Sequence, residues 1–377
     1  MQSKGWKILL AALAVLLLLG CCCSCGMWGG KRLLNWLAFE TVWRVTDRTF
    51  FDPSFGGVDW QASHDEYRRR ILFAGDETYY RLLNEMLWQL NTSHLAVVPP
   101  GHWPQVEPTV LAEGSPGIDL RLFEGRPVIT AVEAGSPAEQ AGLRPGYVIH
   151  SVDGMPLAQI EAEALAGMEP PDNPRHRVEA VTSYLLGYIY GPAGSHVSIA
   201  YTDLAGEGGE VSLERERRPG GEQVLSGFPA AFVEFETDRL ENGIGYIRFN
   251  WFDASLTQEL PRAIAAMDDA PGLIIDLRGN PGGMRDAAIA GAEQLMSSPA
   301  QCSTLLRRGG VEDSGLDPAW SAYEGPVVVL IDEMSKSSSE FFAGCTQAIG
   351  RAVIVGQRSP GSVGPAELLL LPNGGTL

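Results

Sequence analysis

The stretch that most limits the fold is Val327 to Phe342, V-V-V-L-I-D-E-M-S-K-S-S-S-E-F-F. A β-branched run of this kind reads as a buried strand, and buried strands belong to sheets covered on both faces. The run stops at an acidic pair, passes through four serines and a lysine, and turns helical from Glu340. A strand that ends in hydroxyl residues at a helix start suits a nucleophile, because the first helix N–H groups are free to face a developing oxyanion. Serine is also an ordinary N-cap, so at least one of the four has a structural use.

The flanking sequence repeats this logic. Gly245–Trp251 reads as a strand, Ser255 and Gln258 as a capping box for a helix to about Met267, and Gly272–Leu277 as a buried strand followed by R-G-N-P-G-G. A helix from Arg285 to Leu295, a weak strand near Ser303, the opening stretch and a strand at Ala352–Gly356 complete residues 225–377. This is βαβ order and predicts a mostly parallel or mixed sheet. Residues 31–104 predict a helical region, in which Leu82, Leu83, Met86, Leu87 and Leu90 line one side of a helix capped by Asp76. Residues 108–219 predict a small β-rich module, with strands at Pro127–Val132 and Tyr147–Val152, a short helix begun by Ser136 or Pro137, a hairpin turn at Asp153-Gly154 and a helical insert over 156–190 that contains a loop at Glu169–Pro174.

The net charge of -18 is spread along 377 residues, which argues against nucleic-acid binding and reads as solubility. Four of six cysteines crowd positions 21–25, leaving Cys302 and Cys345 in the body, so no disulfide framework is implied. No Cys/His spacing suits a metal, and no cofactor is implied. Lys4 and Lys7 precede an apolar run, Ile8–Leu19, too short for an ordinary membrane span. L-L-G-C at 18–21 resembles a bacterial lipobox with Cys21 as the lipidated residue; the alternative is an uncleaved anchor over Ile8–Trp28. Both place residues 1–30 in an envelope membrane and the body outside the cytoplasm.

Gly135–Gly154, G-S-P-A-E-Q-A-G-L-R-P-G-Y-V-I-H-S-V-D-G, looks like a PDZ domain. Together with G-Y-I-R-F-N at Gly245–Asn250, D-L-R-G-N-P-G-G at Asp276–Gly283, S-K-S-S-S-E at Ser335–Glu340 and G-R-A-V-I-V-G at Gly350–Gly356, the chain resembles the tail-specific, C-terminal-processing serine peptidases and their tricorn relatives. The resemblance implies a multidomain α/β (α+β) protein: a crotonase-like protease core, an N-terminal helical region and an inserted PDZ domain. It implies polypeptide substrates whose free or unstructured C-termini are captured as an added strand at Gly117, Ile118, Asp119 and Leu120. It implies Ser337 as nucleophile, with Ser335 and Ser339 structural, and an oxyanion hole from the N–H of Ser338 and one N–H of Gly282 or Gly283. It leaves the oligomeric state open.

The base departs from the family pattern. The lysine of Ser–Lys members falls at Ser362, and a neutral hydroxyl cannot accept the Ser337 proton; the Asn/Asp partner often found on the nucleophile helix falls at Ala348. Three readings follow. His94 is the base, oriented by Ser93 and a relay acid, as in tricorn-type relatives; the chain is an inactive PDZ scaffold; or Lys336 or Arg358 substitutes. The sequence stops inside an expected hairpin at Leu368–Leu377, before the E-G-x-G-V-x-P-D-like element where the tricorn-type relay glutamate would lie. That predicts a fragment with an unpaired edge strand.

Overall fold

The computed structural model describes residues 30–102, 108–166, 174–218, 221–224, 230–319, 322–364 and 366–377. The leader, Cys21 and most of the Glu169–Pro174 loop lie outside them. The chain forms two compact units: residues up to Leu90 with Ala96–Pro100 and Leu368–Leu377, and Asn91–Leu95 with Gly101–Glu367.

The first unit holds helices α1 (30–49), α2 (Trp60–Ile71) and α3 (Asp76–Trp88). Asp59 caps α2, accepting from the Ala62 N–H at 2.9 Å. The leucine stripe of α3 is buried as its spacing requires. The N-cap of α3 is Gly75, not Asp76, whose carboxylate instead pairs with Lys31. The Tyr79 hydroxyl donates to the Asn35 carbonyl at 2.6 Å, tying α3 to α1. The C-terminal hairpin forms, with Leu370 bridged to Thr376, and Thr376 also exchanges backbone bonds of 2.8 and 2.9 Å with Val98. The unpaired edge expected at the tail is therefore closed at Thr376 by a segment far away in sequence.

In the second unit, β1 (Ile118–Phe123), β2 (Arg126–Val132), β3 (Val148–Val152), β4 (His196–Thr202) and β5 (Gly208–Glu214) form an antiparallel sheet in that order, with Met155–Pro156 added on β3. Glu124-Gly125 and Asp153-Gly154 both have positive φ in pairs, the turn geometry that matches strand twist. The insert between β3 and β4 contains helices α4 (Leu157–Ala166) and α5 (Pro174–Ile189).

The second sheet runs β6 (Phe235–Arg239), β7 (Gly245–Phe249), β8 (Leu273–Asp276), β11 (Val327–Ile331), β12 (Ala352–Gly356); only β6 is antiparallel. Helices α6 (Leu256–Ala265), α7 (Arg285–Glu293) and α8 (Ser338–Ala348) share its core through Leu260, Ile264, Ala288 and Phe342. The Ser255–Gln258 capping box does not form; Asp253 instead accepts from the Leu256 N–H and the Ser255 hydroxyl. The weak strand near Ser303 is one arm of a hairpin, β9 (Ala300–Arg307) and β10 (Gly310–Leu316). A disulfide joins Cys302 on β9 to Cys345 on α8.

The two sheets meet at the three residues that follow β11. Asp332 pairs with Arg121 of β1, Glu333 accepts the outward N–H of Leu122 at 3.2 Å, and Met334 is buried among Ile118, Leu120 and Leu186. The segment that leads to the serines is thus held from the side of the first sheet.

Candidate active site

Ser337 sits between β11 and α8 at φ 52°, ψ -114°. A non-glycine residue there is strained, and such strain persists only where surrounding contacts impose it. The contacts are visible. The Ser337 N–H donates to the Ser362 carbonyl at 3.0 Å and to Glu340 Oε2 at 3.1 Å. Glu340 Oε1 accepts the Gly361 N–H at 2.6 Å, so one buried carboxylate grips both loops.

The other three serines have structural duties. Ser335 donates to the Leu277 carbonyl (2.8 Å), Ser338 to the Gly283 carbonyl (2.8 Å) and Ser339 to the Asn280 carbonyl (2.9 Å). Among the described residues, Ser337 is the one of the four whose hydroxyl donates to no main-chain carbonyl.

D-L-R-G-N-P-G-G packs directly against this turn. Asn280 is fully buried; its side chain donates to the Phe249 carbonyl and accepts the Gly282 N–H, and its carbonyl accepts the Lys336 N–H. At Gly282 (φ 106°) a Cβ would lie 2.7 Å from Ser337 Cβ, so only glycine lets the segment approach Ser337 this closely. The Gly282 N–H is committed to Asn280 at 2.8 Å, which disqualifies it as an oxyanion donor. Gly283 forms a bridge with Phe252, but the two bonds come from the Gly282 carbonyl and the Met284 N–H, so the Gly283 N–H is not spent there. The Ser338 N–H is the first of α8 and has no intrahelical acceptor.

His94 follows α3 in a left-handed conformation, φ 60°. Its Nδ1 lies 3.2 Å from Ser93 Oγ. The ring reaches solvent, yet loss of surrounding water, followed by the Lys336 ammonium, lowers its pKa to about 4; Glu179 acts in the opposite direction. Among the described residues no hydrogen bond joins Ser337 Oγ to His94. Apo catalytic hydrogen bonds are commonly long, so this geometry does not exclude the pair.

Lys336 is not available as a base. Its Nζ lies 2.8 Å from Glu179 of α5, a carboxylate that favours the ammonium form. Arg358 is exposed, and guanidinium stays protonated. Ser362 Oγ stands 3.5 Å from His176 Nε2, also on α5. Sequence reading missed Asn280, Glu340, Glu179 and His176. Only Glu340 carried a local signal, as the third residue after an N-cap serine.

At the expected peptide site, Gly117 (φ 84°) leaves no room for a Cβ, which would meet that of Ser136 at 2.1 Å. The outer edge of β1 is already in use. The Ile118 carbonyl accepts from the Tyr190 hydroxyl, the Leu120 N–H donates to Asp119, and the Leu122 N–H donates to Glu333. An added strand must displace these bonds. Among the described residues no His/Cys/Asp/Glu group could hold a metal ion.

The sequence matches Peptidase family S41 over residues 243–377, the Tricorn protease C1 domain over 38–88 and a PDZ domain over 128–171. It is 29% identical to a carboxyl-terminal-processing protease of Synechocystis sp., covering 85% of this chain and 69% of the relative. It is 25% identical to the chloroplastic carboxyl-terminal-processing peptidase 3 of Arabidopsis thaliana, again over 85% of this chain but 59% of that one. Its fold resembles the photosystem II D1 C-terminal processing protease, with TM-score 0.58, 22% identity and coverage of 91% and 86% of the two chains.

Proposed function

We propose that this chain, which matches Peptidase family S41 over residues 243–377 and a PDZ domain over 128–171 and is similar to carboxyl-terminal-processing proteases, is an envelope-anchored serine endopeptidase. The observation that carries the proposal is the strained Ser337 turn with Gly282 pressed against it. Ser337 Oγ attacks the substrate carbonyl and passes its proton to His94, which Ser93 orients. The tetrahedral oxyanion is received by the N–H groups of Ser338 and Gly283. His94 returns the proton to the leaving amine, and water then releases the acyl group by the same route in reverse. The lowered pKa of His94 keeps it neutral, hence able to accept a proton, across the physiological range. Substrates are polypeptides with accessible C-termini that compete for the β1 edge. Cys21 is the anchoring residue in this reading.

A second reading, an inactive peptide-binding scaffold, is favoured by two points: the resemblance puts Ser362 at the lysine position, and no hydrogen bond links Ser337 to His94 among the described residues. Incubation of full-length protein with an unfolded tagged polypeptide separates the two. Cleavage by wild type that disappears in Ser337→Ala and in His94→Ala is expected; equal cleavage by wild type and Ser337→Ala overturns the assignment.

A further inference from the structure

The buried face of α1 is Ala38, Phe39, Val42 and Thr46. On the opposite face, Leu33, Leu34 and Leu37 are 56%, 43% and 39% exposed, and Arg44 and Arg48 continue the same side toward the C-terminal end. At 100° per residue, Leu33, Leu37 and Arg44 fall on one line. Leucines on the outside of the first two turns have no use in the core of this unit.

A second apolar element stands beside them. Leu72 and Phe73, in the turn between α2 and α3, are 47% and 85% exposed. Asp76, three residues after Phe73, pairs with Lys31 in the first turn of α1, which sets that turn next to the start of the leucine stripe. Five large exposed apolar side chains therefore belong to the first turns of α1 and to the turn just before Asp76, which Lys31 reaches. Isolated exposed leucines are normal, but a cluster ringed by basic residues marks an interaction surface.

The sequence before it says which surface. The apolar run Ile8–Leu19 and Cys21 precede residue 30, and eight residues lie between Cys21 and Gly30, a span of at most about 30 Å when fully extended. Within residues 30–49 the charges are Lys31, Arg32, Arg44 and Arg48 against Glu40 and Asp47, a local excess of two positive in a chain of net charge -18. Leucines in the first two turns with arginines further along the same face suit a helix that enters a bilayer interface by its N-terminal end, apolar side chains at the acyl level and snorkelling cationic heads among phosphates.

We propose that the outer face of α1 and the Leu72–Phe73 turn rest on the lipid bilayer that holds the leader, so that the first unit docks on the membrane rather than swinging from a tether. The inference rests on the envelope-anchor reading and adds the face, the residues and the partner, an anionic phospholipid surface.

The test uses the full chain reconstituted in phosphatidylethanolamine–phosphatidylglycerol vesicles, with Cys22, Cys23 and Cys25 changed to Ser. An environment-sensitive fluorophore is placed at Leu37→Cys, at Phe73→Cys or, as control, at exposed Gln61→Cys. Brominated lipid is expected to quench roughly half or more of the emission at 37 and 73 and little at 61, as for side chains at the headgroup–acyl boundary. A chain that floats with the vesicles but shows equal quenching at all three sites overturns docking and leaves the anchor standing; a chain that does not float overturns both. Shielding at 37 and 73 without vesicles, together with a dimeric mass, assigns the face to a second copy and overturns the proposal. Mass measurement of Cys21 reports on lipidation separately.

Discussion

Ser337→Gly and Ser337→Ala should differ in stability although both lose the nucleophile. At φ 52°, ψ -114°, an alanine keeps the strain that serine bears, whereas glycine does not. Such strain is worth about 1–3 kcal/mol per residue. Glycine gives back about 0.5–1 kcal/mol through the greater freedom of its unfolded chain. The net expectation is that Ser337→Gly is more stable than Ser337→Ala by about 0.5–2 kcal/mol, a rise of a few degrees in the transition of the second unit. Loss of the hydroxyl is common to both variants, so the comparison isolates the backbone. Calorimetry on the two purified variants, with a cleavage assay showing both inactive, makes the measurement. A glycine variant no more stable than the alanine variant refutes the claim that the turn stores strain, and with it the main physical reason for choosing Ser337 over its neighbours.

Three further outcomes are expected. The acid limb of kcat/KM should lie near pH 4, because His94 must be neutral to accept a proton and its pKa is lowered to about 4; Lys336→Met removes a repelling cation and should move that limb to higher pH. Glu333, buried against β1 and beside Asp332, has its pKa raised to about 7, so its contribution to stability is fully present below the unfolded carboxyl value and lost as pH rises through 7, on the order of 3 kcal/mol; denaturation of Glu333→Gln at pH 4 and pH 8 should show that slope removed. Reduction of Cys302–Cys345, or Cys345→Ser, opens a loop with a sequence separation of 43 and should cost about 2–4 kcal/mol in an unfolding titration of the second unit.

What was legible in the sequence is what depends on neighbours in sequence. The strand at Val327–Ile331, the helix after Ser337, the Asp153-Gly154 turn and the leucine stripe of α3 follow from periodicity and turn chemistry within a few residues. The four serines could be ranked only because a family resemblance supplied the pattern; that the Ser335, Ser338 and Ser339 hydroxyls donate to main-chain carbonyls could not be read from sequence. What was illegible is what joins distant segments. Asn280 binds Phe249, Gly282, Lys336 and Ser339, and nothing in N-P-G-G announces four partners. The tail closes on Val98 across nearly the whole chain. Ser255 looked like a cap, yet Asp253, two residues earlier, reached the Leu256 N–H instead, because a carboxylate oxygen accepts both that N–H and the serine hydroxyl.

The same distinction explains the lysine beside Ser337. In sequence, Lys336 is the nearest basic group to Ser337 and looks like its partner. In space it belongs to Glu179, 157 positions away on a helix of the PDZ insert, and the pairing holds it as an ammonium. A fixed cation there is useless as a base but acts on His94, whose ring it biases toward the neutral, proton-accepting form. Burial works in the same direction, and Glu179 opposes both. In the proposed mechanism Lys336 and Glu179 act through the charge state of His94 and not by touching substrate. A pKa near 4 also makes His94 a weaker proton acceptor than an ordinary imidazole, so Lys336 keeps the ring neutral at a cost in basicity.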